Sequence, residues 1–199
     1  MIHHKSGIKI GNRCSKHTPD IMGTNEEPWM TRDSINWLYK YLKKNNNLKT
    51  LLEYGCGSST PYFLSLNLHV TSIEHNKKWL DEVSNKINTF ENYIKLWTPI
   101  LKELTLEGDE IGSDNECYFD DYVNEISNLE NFDIIIVDGR CRSSCIKKSI
   151  SHLNKNGIFI VDNAERAIYK DAIDNYIPKD WKKYVFPTKV DTTIIWIKS

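Results

Sequence analysis

The stretch Leu48–Thr60, which reads LKTLLEYGCGSST, decides the fold that we predict for this chain. Its first half is a short apolar run that suits a buried parallel strand. Its second half contains Gly55 and Gly57, and two residues without a Cβ atom let the backbone turn sharply and a ligand come close. The hydroxyl residues after the glycines can cap a following helix. A strand, a glycine turn and a helix N-terminus together favour a nucleotide-type pocket.

The spacing around the glycines separates two kinds of nucleotide site. A dinucleotide fingerprint needs a third glycine three positions after the second, where this chain has Thr60. Glu53 instead lies two residues before the first glycine. Its carboxylate would repel a pyrophosphate and would attract the cationic end of a ligand. The alternative is an ordinary tight turn from strand to helix that binds no ligand.

An acid also follows the second predicted strand, Val70–Ile73. This acid is Glu74, which lies 21 residues beyond Glu53. At this distance from a glycine turn, a carboxylate can accept charge-assisted hydrogen bonds from both hydroxyls of a ribose. The alternative for Glu74 is a solvated strand end. The residue Asn76 is expected to cap the next helix.

The rest of the chain alternates predicted helices and strands. A helix begins after Thr31, and further strands are predicted at residues 93–97, 132–137, 158–161, 181–186 and 192–198. A helix is predicted at Ser143–Leu153, and Asn156-Gly157 is expected to turn the chain into the next strand. A short turn joins the last two strands, which are therefore antiparallel.

Length and composition favour one domain at residues 28–199, preceded by an arm at residues 1–27 that is either a disordered tail or a cover over the active site. The chain has no secretory h-region and no apolar run of the roughly 20 residues that span a bilayer. The five cysteines lack paired metal spacing, which favours reduced thiols in the cytoplasm.

The net charge of −1 is unevenly distributed along the chain. Residues 98–131 hold ten acids and one base, which is typical of an acidic surface loop. No basic stripe with interleaved aromatic residues is present. This pattern disfavours a nucleic acid as the partner and favours a small molecule.

Several segments in order resemble the successive motifs of class I S-adenosylmethionine-dependent methyltransferases. They are LLEYGCGSST, TSIEH, FDIIIVDGRCR, NGIFIVDNAER and TTIIWIK, and the branch is marked by VDGRxR and VDNxER. The segment PWMTRDSINWLYKYL is similar to the helix that precedes the first strand, so the match covers residues 28–198. The resemblance implies an α/β, Rossmann-like sheet of seven strands in the order 3-2-1-4-5-7-6, with the last strand antiparallel.

The resemblance also implies S-adenosylmethionine as the methyl donor. The residues that would bind this cofactor are Glu53, Gly55, Cys56, Gly57, Ser59, Glu74 and Asp138. Two functions remain as alternatives to methyl transfer. One is an aminopropyltransferase, which shares the fold but uses a decarboxylated cofactor, and the other is a non-catalytic subunit that binds cofactor in a methyltransferase complex.

The acceptor chemistry is expected at the ends of the fourth and fifth strands, which are neighbours in this fold. Asp138 is the candidate base or acceptor-positioning group. The candidates for binding the acceptor, and for gripping an anionic group on it, are Arg140, Arg142, Asn163 and Arg166. The alternatives are that Asp138 caps the next helix and that the arginines pair with Asp162 or Glu165.

Base methylation is disfavoured because the motif after the fourth strand is Val137-Asp138-Gly139-Arg140, without the Asn- or Asp-Pro-Pro-aromatic pattern used for amino groups on bases. A hydroxyl of a small molecule, sugar or natural product is therefore the expected acceptor. Asp138, Asp162 and Asn163 also resemble the magnesium site of catechol-type O-methyltransferases. The default alternative to a divalent metal is that nearby arginines neutralise these acids.

Overall fold

The computed structural model describes residues 28–87, 90–98 and 119–199. Within these ranges, seven strands form one sheet with the order β3-β2-β1-β4-β5-β7-β6. The strands are β1 (Thr50–Tyr54), β2 (His69–Glu74), β3 (Tyr93–Trp97), β4 (Phe132–Val137), β5 (Leu153–Val161), β6 (Lys182–Pro187) and β7 (Thr192–Ile197). β7 runs antiparallel to both β5 and β6, while β1 to β5 pair in parallel. The predicted order and the antiparallel last strand are confirmed.

Helices cover both faces of this sheet. They are α1 (Arg32–Lys44), α2 (Ser59–Ser65), α3 (Lys77–Lys86), α4 (Asp120–Asn124), α5 (Arg142–Ser149) and α6 (Ala167–Tyr176). Alternate strand residues feed two separate cores, because successive side chains of a strand point to opposite faces. Leu51 and Ile134 pack in the core with α1, α2 and α3, whereas Leu52 and Ile135 pack in the core with α4, α5 and α6.

The predicted turn at Asn156-Gly157 is wrong, because both residues lie inside β5. The helix predicted to end at Leu153 instead ends at Ser149, and a short 3-10 turn leads into the strand. Leu153 pairs with Phe132, and the register then shifts before Ile158 pairs with Ile134. Asn156 absorbs this irregularity with a φ of 61°, a conformation that asparagine tolerates better than most residues.

The topology brings the carboxyl ends of β1, β2, β4 and β5 to one edge of the sheet. In open α/β sheets, this edge is where ligands bind. No helix among the described residues has the length and apolar character needed to cross a bilayer. The predicted arm at residues 1–27 lies outside the described residues, and so does the part of the acidic segment at residues 99–118.

Candidate functional site

A cleft of about 670 Å³ opens at this edge of the sheet. Most of the residues predicted from the sequence for the cofactor, the acceptor and the metal line it. They are Gly55, Cys56, Gly57, Ser59, Glu74, Asp138, Arg140, Arg142, Asp162, Asn163 and Arg166. Glu53 is the exception, because it is 1 % exposed and lies beneath the glycine loop. Four aromatic or histidine side chains that sequence reasoning did not assign to the site also line the cleft: Trp29, His75, Trp79 and Tyr169.

The glycine loop is fixed by hydrogen bonds to its neighbours. Gly55 has a φ of 88°, which favours glycine, and its N–H donates to the Ile73 carbonyl at 2.9 Å. The N–H of Gly57 donates to Thr60 Oγ1 at 3.0 Å. The Trp79 indole N–H donates to the Cys56 carbonyl at 2.7 Å and so ties the loop to α3. Hydrogen bonds to β2, α2 and α3 therefore fix the position of the loop at the edge of the cleft.

Glu53 supports the loop from below and does not reach the cleft. Its carboxyl group accepts hydrogen bonds from the hydroxyls of Thr60 and Ser72, both at 2.5 Å, and a longer one from Ser59 at 3.5 Å. Burial raises the pKa of Glu53 to about 7, although the hydroxyl donors oppose the rise. The sequence predicted that the Glu53 carboxylate attracts the cationic end of a ligand, but in the structure this group binds three hydroxyl groups of the protein.

Glu74, unlike Glu53, lines the cleft. Its Oε2 accepts from the Cys56 N–H at 3.2 Å, and its Oε1 accepts from the N–H groups of His75 and Asn76 at 3.0 and 2.8 Å. Burial alone would raise the pKa of Glu74, but hydrogen bonds from the His75 side chain and from these backbone groups hold it below its ordinary value. Glu74 is therefore an anion at neutral pH. Its Oε2 accepts one backbone hydrogen bond and a weak one from the Cys56 thiol at 3.8 Å, and so keeps capacity to accept from a ligand hydroxyl. Asn76 caps α3 through Trp79 N–H, as expected.

Arg142 lies between the ends of β4 and β5 and is 7 % exposed. Its Nε donates to the Gly139 carbonyl at 3.0 Å, and its Nη2 pairs with Asp138 Oδ1 at 2.9 Å. Its Nη1 donates to the Asp162 carbonyl and to Asn163 Oδ1. The guanidinium group thus joins the two strand ends on which the acceptor chemistry was expected, and most of its hydrogen-bonding capacity is spent inside the protein.

Asp138 and Asp162 differ in their surroundings. The Asp138 side chain is 26 % exposed to the cleft, and burial raises its pKa while Arg142 and Arg166 oppose this rise. Asp162 is 4 % exposed and accepts from Thr193 Oγ1 at 2.5 Å. Burial and the nearby Asp138 charge raise the pKa of Asp162 to about 7. Both carboxyl groups therefore line the cleft, Asp138 more exposed and beside a cation, and Asp162 nearly buried in surroundings that favour its protonated form.

The donor set predicted for magnesium does not fit a divalent cation. The Arg142 guanidinium already bonds Asp138 Oδ1, Asn163 Oδ1 and the carbonyl of Asp162. Asp162 Oδ1 is also engaged by the Thr193 hydroxyl. Among the residues that the structure describes, no group of three or more His, Cys, Asp or Glu is placed to hold a metal ion. A protein cation thus lies where the ion was predicted.

Neither a protein-family model nor a curated protein sequence matches the chain. Solved structures match its fold. A protein from Staphylococcus aureus assigned as a caffeoyl-CoA O-methyltransferase aligns with a TM-score of 0.62 and 19 % identity, over 89 % of this chain and 88 % of its own. A methyltransferase from Geobacter sulfurreducens aligns with a TM-score of 0.58 and 13 % identity, over 85 % and 82 %.

A third match is a 16S rRNA methyltransferase from T. thermophilus, solved with S-adenosylmethionine and guanosine. It aligns with a TM-score of 0.59 and 11 % identity, over 89 % of this chain and 45 % of its own. The sheet order and these likenesses define the fold as that of class I S-adenosylmethionine-dependent methyltransferases. The likenesses extend to proteins that act on small molecules and to proteins that act on RNA, so they leave the acceptor open.

Proposed function

We propose that this protein is an S-adenosylmethionine-dependent methyltransferase of the cytoplasm that acts on a hydroxyl group of a small molecule. The observation that carries the proposal is the contact between Glu74 Oε2 and the Cys56 N–H at 3.2 Å. It places a buried, ionised carboxylate against a glycine loop at the edge of the methyltransferase sheet. A loop that approaches a ligand closely and an acid that binds a ribose are the two parts that such a cofactor requires.

The residues present fit the cofactor on one side of the cleft. Gly57 leaves room for the methionine part, because a Cβ atom at this position would meet no atom within 4 Å, and Glu74 Oε2 is the acceptor that we assign to a ribose hydroxyl. Gly55 lines the same side, but its missing Cβ makes room for the Gly139 backbone. Ser59 lines the same side of the cleft, while Glu53 acts through the loop from below. When bound, S-adenosylmethionine supplies a methyl group on a positively charged sulfur.

The acceptor side supplies the remaining groups. Oδ1 of Asp138 is paired with Arg142, and we assign proton acceptance from the substrate hydroxyl to Oδ2 of the same side chain. Arg142 bonds the Gly139 carbonyl at the end of β4 and the Asp162 carbonyl at the end of β5, and so holds Asp138 in one orientation, which suits a reaction that requires in-line alignment. Asp138 thus both positions the acceptor and takes up its proton.

The proposal is tested by ligand binding and turnover. At one hundred times its dissociation constant, S-adenosylhomocysteine should stabilise the fold by about 2.7 kcal/mol, and NAD should give no thermal shift. With S-adenosylmethionine, methyl transfer to a panel of phenols and sugar hydroxyls is expected. Preference for the decarboxylated cofactor would indicate an aminopropyltransferase, and binding without turnover on small molecules or RNA would indicate a non-catalytic subunit. A thermal shift with NAD alone would overturn the cofactor assignment.

A further inference from the structure

On the acceptor side of the cleft, the most exposed charged side chains are those of arginines. Arg140 and Arg166 line the cleft and are exposed, whereas Asp162 is 4 % exposed. The charge of Asp138 is matched by its ion pair with Arg142. A ligand that enters this side therefore meets a net positive surface. A guanidinium group binds a carboxylate or a phosphate through paired N–H donors.

Arg166 has donor capacity to spare. In the described part of the chain its side chain makes one long hydrogen bond, from Nη1 to the Tyr169 hydroxyl at 3.4 Å. This distance lies at the weak end for a nitrogen donor, and a guanidinium group has five N–H donors. Arg142 is the contrasting case, because it is 7 % exposed and bonds three carbonyl groups and a carboxylate. Of these two predicted acceptor-binding arginines, only Arg166 is placed to bind a ligand.

Trp29 presents a flat apolar surface to the same cleft. Its side chain is 68 % exposed, although it follows the buried Pro28 and precedes Met30, which is 1 % exposed. Thr31 is fixed to β7, because its N–H donates to Thr193 Oγ1 at 3.1 Å. The same Thr193 hydroxyl binds Asp162, so the segment that carries Trp29 is fastened to the acceptor side. Because its neighbours are buried, the Trp29 ring stays exposed, and stacking of another aromatic ring on it stabilises the complex.

Taken together, the geometry points to an acceptor that is a flat aromatic ring bearing a carboxylate or phosphate group, with the ring on Trp29 and the anion bound by Arg166 and Arg140. This inference rests on the proposed methyl transfer and names the class of acceptor. The ring and the anionic group account for two features that neither cofactor binding nor proton transfer uses. They are an exposed tryptophan and an exposed arginine that line the same cleft.

A matched set of probes tests this assignment by calorimetry in the presence of S-adenosylhomocysteine. We expect 3,4-dihydroxybenzoate to bind at least tenfold more tightly than catechol, which lacks only the carboxylate. We also expect it to bind more tightly than 3,4-dihydroxycyclohexanecarboxylate, which keeps the anion and loses the flat ring. Phenyl phosphate and benzoate are then compared as competitors of 3,4-dihydroxybenzoate. Stronger competition by phenyl phosphate indicates that the anionic group of the acceptor is a phosphate, and stronger competition by benzoate indicates a carboxylate. Equal affinities for dihydroxybenzoate and catechol would overturn the assignment.

Variants locate the binding groups. Arg166→Gln should reduce the affinity for 3,4-dihydroxybenzoate at least tenfold and leave that for catechol unchanged, and Arg166→Lys should restore part of the loss. Trp29→Leu should weaken both ligands, whereas Trp29→Phe should retain most of the affinity. Lys170→Gln is the matched control, because it removes the same charge four residues away on the exposed surface of α6. An equal loss in Lys170→Gln would show a general charge effect and would contradict the assignment.

The outcomes also separate this inference from the proposed function. If S-adenosylhomocysteine binds but none of the aromatic acids is preferred, the acceptor class is wrong and the methyltransferase proposal stands. If single-stranded RNA binds in an Arg166-dependent manner and the acids do not, the acceptor is a nucleic acid and the inference is overturned. If S-adenosylhomocysteine does not bind at all, the proposed function fails and the acceptor class fails with it.

Discussion

Gly55 and Gly139 touch backbone to backbone where the ends of β1 and β4 meet. A Cβ atom on Gly55 would lie 2.8 Å from the Gly139 Cα, and one on Gly139 would lie 3.0 Å from the Gly55 N. Side chains do not tolerate such distances, so the contact requires glycine on both strand ends. The approach places Asp138 beside the glycine loop and so joins the side of the cleft that we propose for the cofactor to the side that we propose for the acceptor.

We predict that Gly139→Ala destabilises the protein. The new Cβ would lie 2.0 Å from the Tyr122 hydroxyl and 2.9 Å from the Tyr54 carbonyl, so the two loops must move apart. Overpacking of this kind costs about 1–3 kcal/mol in the free energy of unfolding, measured by urea denaturation. Gly57→Ala is the control, because its Cβ meets no atom within 4 Å and stability should change by less than about 0.5 kcal/mol. Equal denaturation midpoints for the two variants would contradict the steric account.

Glu74→Ala should weaken binding of S-adenosylhomocysteine by about 1.5–3 kcal/mol, the range for a hydrogen bond to a charged group. The loss follows from removing the acceptor Oε2, which we assign to the ribose. Circular dichroism should show that the fold survives, and calorimetry measures the affinity. Asp81→Ala is a suitable control, since it removes an acid that pairs with Lys77 on the exposed side of α3. Unchanged affinity in Glu74→Ala would move the ribose contact to another residue.

The buried carboxyl group of Glu53 predicts a specific pH dependence. Its pKa rises from 4.5 to about 7 on folding, so the folded protein holds a proton that the unfolded chain releases. The contribution of this group to stability is complete below about pH 4.5 and is lost as the pH rises through 7. Glu53→Gln should therefore gain stability relative to the parent between pH 5 and pH 8, by up to about 3 kcal/mol.

Urea denaturation of both proteins at several pH values measures this difference, and the other titrating groups cancel in the comparison. A difference between Glu53→Gln and the parent that stays constant from pH 5 to pH 8 would show that Glu53 ionises with an ordinary pKa. The carboxylate would then have to be solvated or paired in a way that its 1 % exposure and its three hydroxyl donors do not provide.

Arg142→Met should lower the free energy of unfolding by about 3–5 kcal/mol. The change leaves the Asp138 carboxylate without its partner and leaves the carbonyl groups of Gly139 and Asp162 without their donor. Losing a largely buried ion pair together with these hydrogen bonds carries a cost of this size. Arg166→Met is the matched control, because this arginine is exposed and its loss should cost less than about 1 kcal/mol. Similar losses in the two variants, measured by thermal or urea unfolding, would show that Arg142 does not hold the strand ends together.

We predict that methyl transfer persists after exhaustive chelation. The Arg142 guanidinium already binds Asp138 Oδ1 and Asn163 Oδ1, which are two of the oxygens that a magnesium ion would need. Activity is measured in protein treated with chelator, before and after addition of magnesium, calcium or manganese. Loss of activity that magnesium restores would show that an ion displaces Arg142 in the working enzyme, and the acceptor chemistry would then have to include it.

The sequence predicted most of the strands and helices, because the spacing of apolar residues within each segment determines them. Apolar runs of strand length and helical spacing located the strands and helices, and the resemblance to class I methyltransferases supplied the strand order. The turn at Asn156-Gly157 was wrong because the asparagine's local preference for a left-handed conformation is used inside a strand irregularity and not in a loop. That difference depends on pairing between β4 and β5, residues far apart in sequence, which no local pattern contains.

The sequence by itself determined which residue types reach the carboxyl edge of the sheet, because Gly55, Glu74 and Asp138 each follow a readable strand. Only the tertiary structure decided what those side chains face. Glu53 is turned beneath the loop by the hydroxyls of Thr60 and Ser72, and Arg142 is drawn inward by carbonyl groups of two strands. Burial and hydrogen-bond partners set the charge and orientation of such groups, and both are contributed by residues that are distant along the chain.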